Sequence, residues 1–199
     1  MIALEQTIVV LLCAGLSRRY GAGNKLLALL DGKVLVMHPA ELCATIPFAG
    51  KIAVVPPMET ELRELLPSAG FDLVINPGPA PDKDSSVRLG LAAALKRGAR
   101  GALILLGDMP HVTEVHLRRL SAKAEPDTPA ISKAEGILSP PVLMSAETAE
   151  RVISGDDCSV RACLGRPIAV TAPMITLVDY DFPEQFSAPP VPESGTAML

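Results

Sequence analysis

Short hydrophobic runs alternate along this chain with segments of helical periodicity. Four runs bounded by turn residues predict strands at residues 7–13, 51–55, 71–75 and 102–106. Apolar residues at helical spacing predict helices at 35–44, 59–66 and 86–97, and a further helix from a Thr113 cap to about residue 120. Nearly continuous apolar strands between helices are typical of a doubly wound, mostly parallel α/β sheet.

The second half of the chain has a less regular pattern. It predicts a strand pair at 128–132 and 141–144, a helix at 147–153, and late strands at 168–170 and 175–179. Residues 187–199 are rich in Pro, Ser and Gly, which predicts a flexible tail. Residues 1–186 are therefore expected to form one domain.

Composition narrows the class of protein. The 199 residues are 49% hydrophobic, which is enough to bury one substantial core. Because the formal net charge is -4 and no apolar run is long enough to span a bilayer, neither nucleic acid nor membrane is an expected partner. The N-terminal segment lacks a basic start and fits a first strand better than a signal peptide. The four cysteines have no zinc-site spacing and are expected to be reduced, which predicts a cytoplasmic protein.

The segment after the first predicted strand, residues 12–26, combines glycines with basic residues. Its glycines are Gly15, Gly21 and Gly23, and its basic residues include Arg19 and Lys25. Glycines let successive backbone amides approach phosphate oxygens closely. A guanidinium can hold two such oxygens, and an ammonium supplies a mobile point charge. The segment therefore predicts a nucleoside triphosphate site, with Lys25 on an exposed loop where it adds little to stability.

A second signal is the apolar strand that ends in Gly107-Asp108-Met109-Pro110. Parallel strands bring their carboxyl ends to one edge of a sheet, so Asp108 is expected to lie beside the glycine-rich segment. Mg²⁺ in phosphoryl-transfer sites is typically held by one or two carboxylates together with substrate phosphates. The residues predict Mg²⁺ at Asp108, although an Asp at this place also fits a simple turn.

Together these segments resemble the nucleotidyltransferases of molybdenum cofactor maturation, the MobA-like NTP transferase family. Collinear matches at 85–91, 141–143 and 177–183 extend the resemblance over about residues 7–186. It implies a nucleotide-diphospho-sugar transferase-like fold with a Rossmann-like nucleotide-binding half. It also implies that the nucleotide is bound by Ala14, Gly15, Ser17, Arg19, Gly21, Lys25, Ser85, Ser86 and Arg88.

Within the family, the chain is more similar to the molybdenum cofactor cytidylyltransferases than to the guanylyltransferases. Cys13-Ala14-Gly15 stands where the guanylyl type has Leu-Ala-Gly-Gly, and Asp84-Ser85-Ser86 stands where that type has Leu-Ala-Gly. Two segments depart from the family: Ser139-Pro140 replaces a Gly-His pair, and residues 77–84 lack a usual Gly. Both lie where the acceptor or the base is expected, so the acceptor is the less determined substrate.

The resemblance implies transfer of CMP from CTP to the terminal phosphate of a molybdopterin-type acceptor, with release of pyrophosphate. Such an acceptor is already anionic, so catalysis needs positioning and charge neutralisation rather than a general base. Arg19 is expected at the β- and γ-phosphates, Lys25 near the α-phosphate, and Asp108 at Mg²⁺. A molybdoenzyme or its chaperone is an expected partner.

A second metal carboxylate is expected from the late predicted strand. Alternation along that strand would place Asp179 and Asp181 on one face, where either could converge with Asp108 on Mg²⁺. Asp179 is favoured, since Asp181 could instead cap the turn before Pro183.

Two other functions stay open at this stage. The same chemistry could serve another phosphorylated acceptor, such as a sugar phosphate. Alternatively, the chain could be a nucleotide-binding maturation factor for a molybdoenzyme with little turnover, for which the altered Ser139-Pro140 segment is the only support. Release of pyrophosphate from CTP in the presence of an acceptor distinguishes the enzymes from the maturation factor.

Overall fold

The structure, a computed structural model, describes residues 1–14, 20, 23–78, 82–155 and 158–186. Its strands are β1 Thr7–Leu12, β2 Leu29–Leu30, β3 Lys33–Val34, β4 Gly50–Val55, β5 Asp72–Ile75, β6 Gly101–Leu106, β7 Ala130–Ala134, β8 Ile137–Ser145 and β9 Ile168–Thr171. Its α-helices are α1 Met37–Thr45, α2 Thr60–Ser68, α3 Lys83–Lys96, α4 Glu114–Lys123, α5 Ala146–Ser154 and α6 Val160–Cys163. Short 3-10 turns include Lys25–Leu27, Met174–Leu177 and Pro183–Phe186.

Seven strands form the main sheet, in the order β5-β4-β1-β6-β8-β7-β9. β1 lies between β4 and β6 and is parallel to both. In the same sheet β5 is parallel to β4, and β9 is parallel to β7. Among the described strands of this sheet, only β8 runs antiparallel to its neighbours; β2 and β3 form a separate antiparallel pair. The doubly wound, mostly parallel sheet predicted from the sequence is confirmed, and the carboxyl ends of β1 and β6 lie side by side.

Every residue of β1 is buried, and alternate side chains enter different cores. Val9 and Leu11 pack with α1, α2 and α4, whereas Ile8, Val10 and Leu12 pack with α3 and α5. Helix α3 approaches the sheet closely at Gly90, where an added Cβ would lie 2.3 Å from a methyl carbon of Val10. Helices on both faces therefore hold the β1 end that supports the site.

Most predicted elements are present within one to three residues of their expected bounds. The predicted strand at 175–179 is wrong: after Pro173 the chain enters a 3-10 turn in which the Thr176 amide donates to the Pro173 carbonyl at 3.0 Å. Pro67 does not end helix α2 but lies within its last turn. Helix α3 starts earlier than expected, so its cap is the Asp82 carboxylate, which accepts the Ser85 amide at 2.6 Å.

The cysteines divide into two kinds. Cys13 and Cys43 are buried free thiols, and burial is the main cause that raises the pKa of each. Cys158 and Cys163 form a disulfide, so the expectation that all four are reduced is wrong. The five-residue spacing allows the bridge because a short loop brings Cys158 beside the last turn of α6. No helix within the described residues is long and apolar enough to cross a membrane. The tail at 187–199 lies outside the described residues.

Candidate active site at the carboxyl ends of β1 and β6

A cleft of about 170 Å³ opens where β1 and β6 end. Ala14 lies at its β1 side, and Asp108 follows β6 after Gly107. The remaining polar residues along the cleft are Lys25, Lys83, Ser86 and Asp179. Asp108 thus lies beside the end of the first strand, as parallel pairing predicted. Four residues expected to bind the nucleotide, Gly15, Ser17, Arg19 and Gly21, lie outside the described residues.

Lys25 is buried at the centre of this cleft, with only 6% of its surface exposed. A 3-10 turn starts at this residue because Asn24 caps it, its side-chain oxygen accepting the Leu26 amide at 3.0 Å. The Lys25 ammonium donates to Asp108 Oδ2 at 2.6 Å and also to Asp181 Oδ1. The expectation of an exposed Lys25 is therefore wrong, because two carboxylates draw its ammonium inward.

The protonation of Lys25 follows from these contacts. Burial lowers the pKa of its ammonium, but the Asp108 and Asp181 carboxylates outweigh burial, and the net pKa is raised. Burial raises the pKa of the Asp108 carboxyl; Lys25 opposes the rise, and Asp179 and Asp181 add to it. Two carboxylates therefore act on the Lys25 ammonium, and a third, Asp179, acts on Asp108, which makes a local excess of negative charge around this ammonium.

Asp108 retains one oxygen without a protein contact. Its Oδ1 is buried and has no hydrogen-bond partner among the described residues. A buried charged oxygen without a partner costs free energy, and a divalent cation is one ligand that satisfies it. Asp179 lines the same cleft and can supply a second carboxylate. Within the described residues no group of three or more acidic, His or Cys side chains is arranged as a metal site, so phosphate and water would have to complete the coordination.

Asp179 and Asp181 reach the cleft by a route that strand alternation did not predict. The Tyr180 amide donates to the Asp108 carbonyl at 3.0 Å, which ties this segment to the end of β6. The Gln185 carboxamide then accepts the amides of Asp181 and Phe182 at 2.7 and 2.8 Å and donates to the Asp179 carbonyl at 3.0 Å. Gln185 was not identified from the sequence, because a single Gln on a short turn carries no pattern.

An aromatic cluster supports the same segment from behind. The rings of Tyr180 and Phe186 meet edge to face with centroids 5.3 Å apart, and Tyr20 meets Phe186 at the same distance. His111 Nε2 lies 2.9 Å from the Tyr180 hydroxyl. Burial is the main cause that lowers the pKa of His111. The cluster thus joins Tyr20, within the glycine-rich segment, to the segment that carries Asp179 and Asp181.

The serine pair of α3 is organised by Asn76, which sequence reasoning also missed. The Asn76 side chain is buried and donates to Ser86 Oγ at 3.0 Å and to Ser85 Oγ at 3.3 Å. Ser86 lines the cleft, whereas Ser85 is exposed in the first turn. Asn76 follows β5, and the expected position of a polar residue after a strand was the only signal that could have found it.

Arg88 has a different environment from the one expected. Its guanidinium donates to the carbonyls of Val152, Gly155 and Cys158 at 3.1, 2.8 and 2.5 Å. It does not line the cleft. These contacts fasten the loop after α5 to α3, so Arg88 has a structural role here, and its contact with a nucleotide stays a prediction.

Comparison with known proteins shows which family this chain belongs to. The model of the MobA-like NTP transferase domain matches residues 9–165. The chain belongs to this family. The predicted family resemblance is thereby confirmed, and with it the nucleotidyltransferase class of enzyme. No curated protein matches the sequence significantly.

Solved structures similar to this MobA-like chain share its fold over nearly their whole length. A homologue of Mycobacterium tuberculosis rv0371c from mycobacterium sp. strain JC1 is 22% identical, with a TM-score of 0.76 and coverage of 93% of this chain and 95% of that one. Rv0371C of Mycobacterium tuberculosis H37Rv in complex with manganese is 22% identical, with a TM-score of 0.64 and coverage of 84% and 89%. Molybdopterin-guanine dinucleotide biosynthesis protein A from Archaeoglobus fulgidus is 19% identical, with a TM-score of 0.64 and coverage of 90% and 95%.

Proposed function

We propose that this MobA-like nucleotidyltransferase moves CMP from CTP to the terminal phosphate of a molybdopterin-type acceptor. The observation that carries the proposal is the charge cluster at the ends of β1 and β6, where buried Lys25 meets Asp108 and Asp181 and Asp108 Oδ1 has no described partner. The acceptor phosphate is already ionised, so this reaction needs no general base at this place. A cluster of fixed opposite charges suits phosphoryl chemistry, in which charge is redistributed among oxygens.

The reaction forms one bond and breaks one. An acceptor phosphate oxygen bonds to the α-phosphorus of CTP, the bond from that phosphorus to the bridging oxygen breaks, and pyrophosphate leaves with the electron pair. No proton has to move. Lys25 is suited to neutralise charge at the α-phosphate, and Arg19 with the amides near Gly15, Ser17 and Gly21 is proposed to hold the β- and γ-phosphates.

The carboxylates fit a divalent cation, which we propose to be Mg²⁺. Asp108 would hold it through its unpartnered Oδ1, with Asp179 or Asp181 as the second carboxylate. Such a cation supplies Lewis-acid stabilisation of phosphate oxygens. Binding of the cation at Asp108 would weaken the ion pair with Lys25 and would make its ammonium available to the nucleotide.

The choice of CTP rests on the Cys13-Ala14 and Ser85-Ser86 segments. Ala14 and Ser86 both line the cleft, and Asn76 orients the Ser86 hydroxyl. A hydroxyl and an amide in fixed positions can select a base by its hydrogen-bonding edge. The Cys158–Cys163 disulfide removes the cysteine argument for the cytoplasm, so that location rests only on the supply of CTP. A molybdoenzyme or its chaperone as recipient belongs to the same proposal.

A direct test titrates CTP and GTP separately with Mg²⁺ and follows pyrophosphate release with a molybdopterin-type acceptor. Tighter CTP binding together with acceptor-dependent release supports the proposal. Equal or tighter GTP binding removes the cytidylyl assignment. If pyrophosphate release depends on a sugar phosphate instead, the acceptor is a sugar phosphate. Nucleotide binding without pyrophosphate release favours a maturation factor.

A further inference from the structure

A second cavity, of about 270 Å³, adjoins the cleft on the α3 side of the sheet. Its wall is apolar where β6, β7 and β8 face α3 and α6. The buried side chains that form this wall are Val87, Ile104, Ile131, Val142, Met144 and Leu164. The mechanism proposed above does not use any of them.

The charged groups of this cavity lie at its rim and are mostly basic. They are Lys83, Asp84 and Arg161. Asp84 Oδ2 accepts the Val160 amide at 2.9 Å, which ties this carboxylate to the start of α6 and leaves the rim with a net positive charge. Lys83 and Arg161 are exposed and form no ion pair with any residue that the structure describes. The rim therefore offers two available positive charges beside an apolar wall.

Lys83 also lines the first cleft, together with Lys25, Asp108 and Asp179. It is the described charged residue shared by the two cavities. A group bound at Lys83 would therefore lie between the reacting end of the nucleotide and whatever fills the second cavity. Lys83 belongs to residues 77–84, which the family resemblance placed near the acceptor or the base, but it was not singled out from the sequence because an isolated Lys ahead of a helix is usually a solvated surface residue.

We propose that Lys83 holds the phosphate of the acceptor against the α-phosphate of the nucleotide, while the second cavity takes a largely apolar, ring-like acceptor body. This inference rests on the proposed nucleotidyl transfer and specifies its acceptor class. The two reacting phosphates repel each other, and an ammonium between them reduces that repulsion at the point of bond formation. The same phosphate oxygen that contacts Lys83 then bonds to the α-phosphorus as pyrophosphate leaves.

The wall of the cavity argues against a fully hydroxylated acceptor body. Its polar side chains besides the charged rim are limited, in the described residues, to Ser139. Hydroxyls of a sugar ring would lose water there without gaining partners, which costs free energy for each group. A flat ring system can place its apolar faces on this wall and keep polar edges, such as those of a pterin, toward the charged rim, so it loses less by the same transfer.

The test uses 1-naphthyl phosphate as an apolar phosphomonoester and glycerol 3-phosphate as a polar one. The chain has no Trp, so the naphthyl fluorescence can report binding directly. Lys83→Ala is compared with Lys83→Arg, which retains the charge, and with Lys96→Ala at the exposed far end of the same helix as a control. Affinity for CTP with Mg²⁺ is measured separately on every variant.

The expected result is tighter binding of 1-naphthyl phosphate than of glycerol 3-phosphate by the wild-type chain. Lys83→Ala should weaken naphthyl phosphate binding about tenfold to a hundredfold, the worth of one charge-assisted contact, with Lys83→Arg close to wild type. Affinity for CTP should change less than about threefold, because Lys83 contacts the acceptor phosphate and the triphosphate is held by other residues. Lys96→Ala should bind both ligands as the wild type does.

Three results would overturn this inference. They are equal binding of the two phosphomonoesters, an unchanged Lys83→Ala, and a Lys83→Ala that loses CTP and naphthyl phosphate alike. Failure of the proposed function gives a different result: the wild type would not bind any nucleoside triphosphate, whereas naphthyl phosphate binding would still depend on Lys83.

Discussion

Lys25→Ala separates the structural role of the charge cluster from its catalytic role. The variant leaves Asp108 and Asp181 without their shared ammonium, and their side chains are only 17% and 22% exposed. Removing one partner of a fully buried ion pair costs about 3–5 kcal/mol, and an exposed pair contributes about 0–1 kcal/mol. Because these groups are partly solvated, we expect a loss of about 2 kcal/mol, or roughly 4–8 °C in Tm for a domain of this size.

A divalent cation should reverse much of that loss. Without Lys25, the carboxylates are open to Mg²⁺ or Mn²⁺, and a cation at ten times its Kd stabilises the folded state by about 1.4 kcal/mol. In the wild type the cation has to displace the ammonium, so its Tm should rise less. Turnover of the same variant should fall by about 10²–10³, which is the typical effect of removing one preorganised charge from a transition state.

The assay is thermal unfolding at pH 7.5 with and without Mn²⁺, combined with pyrophosphate release. At this pH Lys25 is fully charged: its pKa is raised in the fold, so its stabilisation is complete below the ordinary value of 10.5 and is lost as pH rises through the folded value. Lys33→Ala is the matched control, since it removes an exposed Lys paired with Glu41 and should change the free energy of unfolding by less than about 0.5 kcal/mol. Wild-type stability in Lys25→Ala, or an equal Mn²⁺ shift in both proteins, would refute the reasoning.

Three further perturbations address other parts of the structure. Asp108→Asn should lower turnover by about 10²–10³ with a small change in Tm, since the amide retains the shape and removes the charge; near-normal pyrophosphate release would contradict this. The free energy of unfolding should fall as pH drops below about 6.5, by at most about 1.4 kcal/mol per pH unit for His116, because burial lowers the pKa of His116 in the folded chain and the unfolded chain takes up the proton. His116→Gln should make the urea midpoint depend less on pH between pH 7 and 5, and an unchanged pH dependence would assign the effect to another group. Gln185→Ala should lower turnover while Tm changes little, because the substitution releases the segment that carries Asp181. Normal turnover would show that Gln185 is not needed to position that segment.

The cleft could be anticipated from the sequence because it depends on topology. Apolar runs of strand length between helices predict parallel pairing, and parallel pairing alone puts the residue after β6 beside the residue after β1. Asp179, or else Asp181, was expected to lie near Asp108, and the reason given for that expectation was wrong. Alternation along a strand has no bearing here, since residues 178–182 are held by the Tyr180 amide and by Gln185, which are contacts between distant parts of the chain.

Side-chain environments could not be anticipated in the same way. Lys25 was expected in solvent because glycine-rich loops are exposed, yet two acidic residues far along the chain draw it into the cleft. Arg88 was expected at the nucleotide from its place in the family pattern, and the contacts that the structure shows for its Nε and Nη2 are with backbone carbonyls at the end of α5 and just after it. Whether a charged side chain contributes to binding or to stability depends on the group that it contacts. A local sequence pattern does not identify a contact about 60 to 150 residues away.

The charge of the cleft also constrains the form in which the nucleotide arrives. Asp108, Asp179 and Asp181 face the ammonium groups of Lys25 and Lys83, a small net negative charge among the described residues of the site. A free triphosphate would meet carboxylates and find Lys25 already engaged. A nucleotide that brings a divalent cation would supply a positive partner for Asp108 Oδ1, and Lys25 could then exchange a carboxylate for a phosphate. We infer that the ion pair of Lys25 with Asp108 stabilises the site before substrate binds, so that productive binding would depend on metal and nucleotide together.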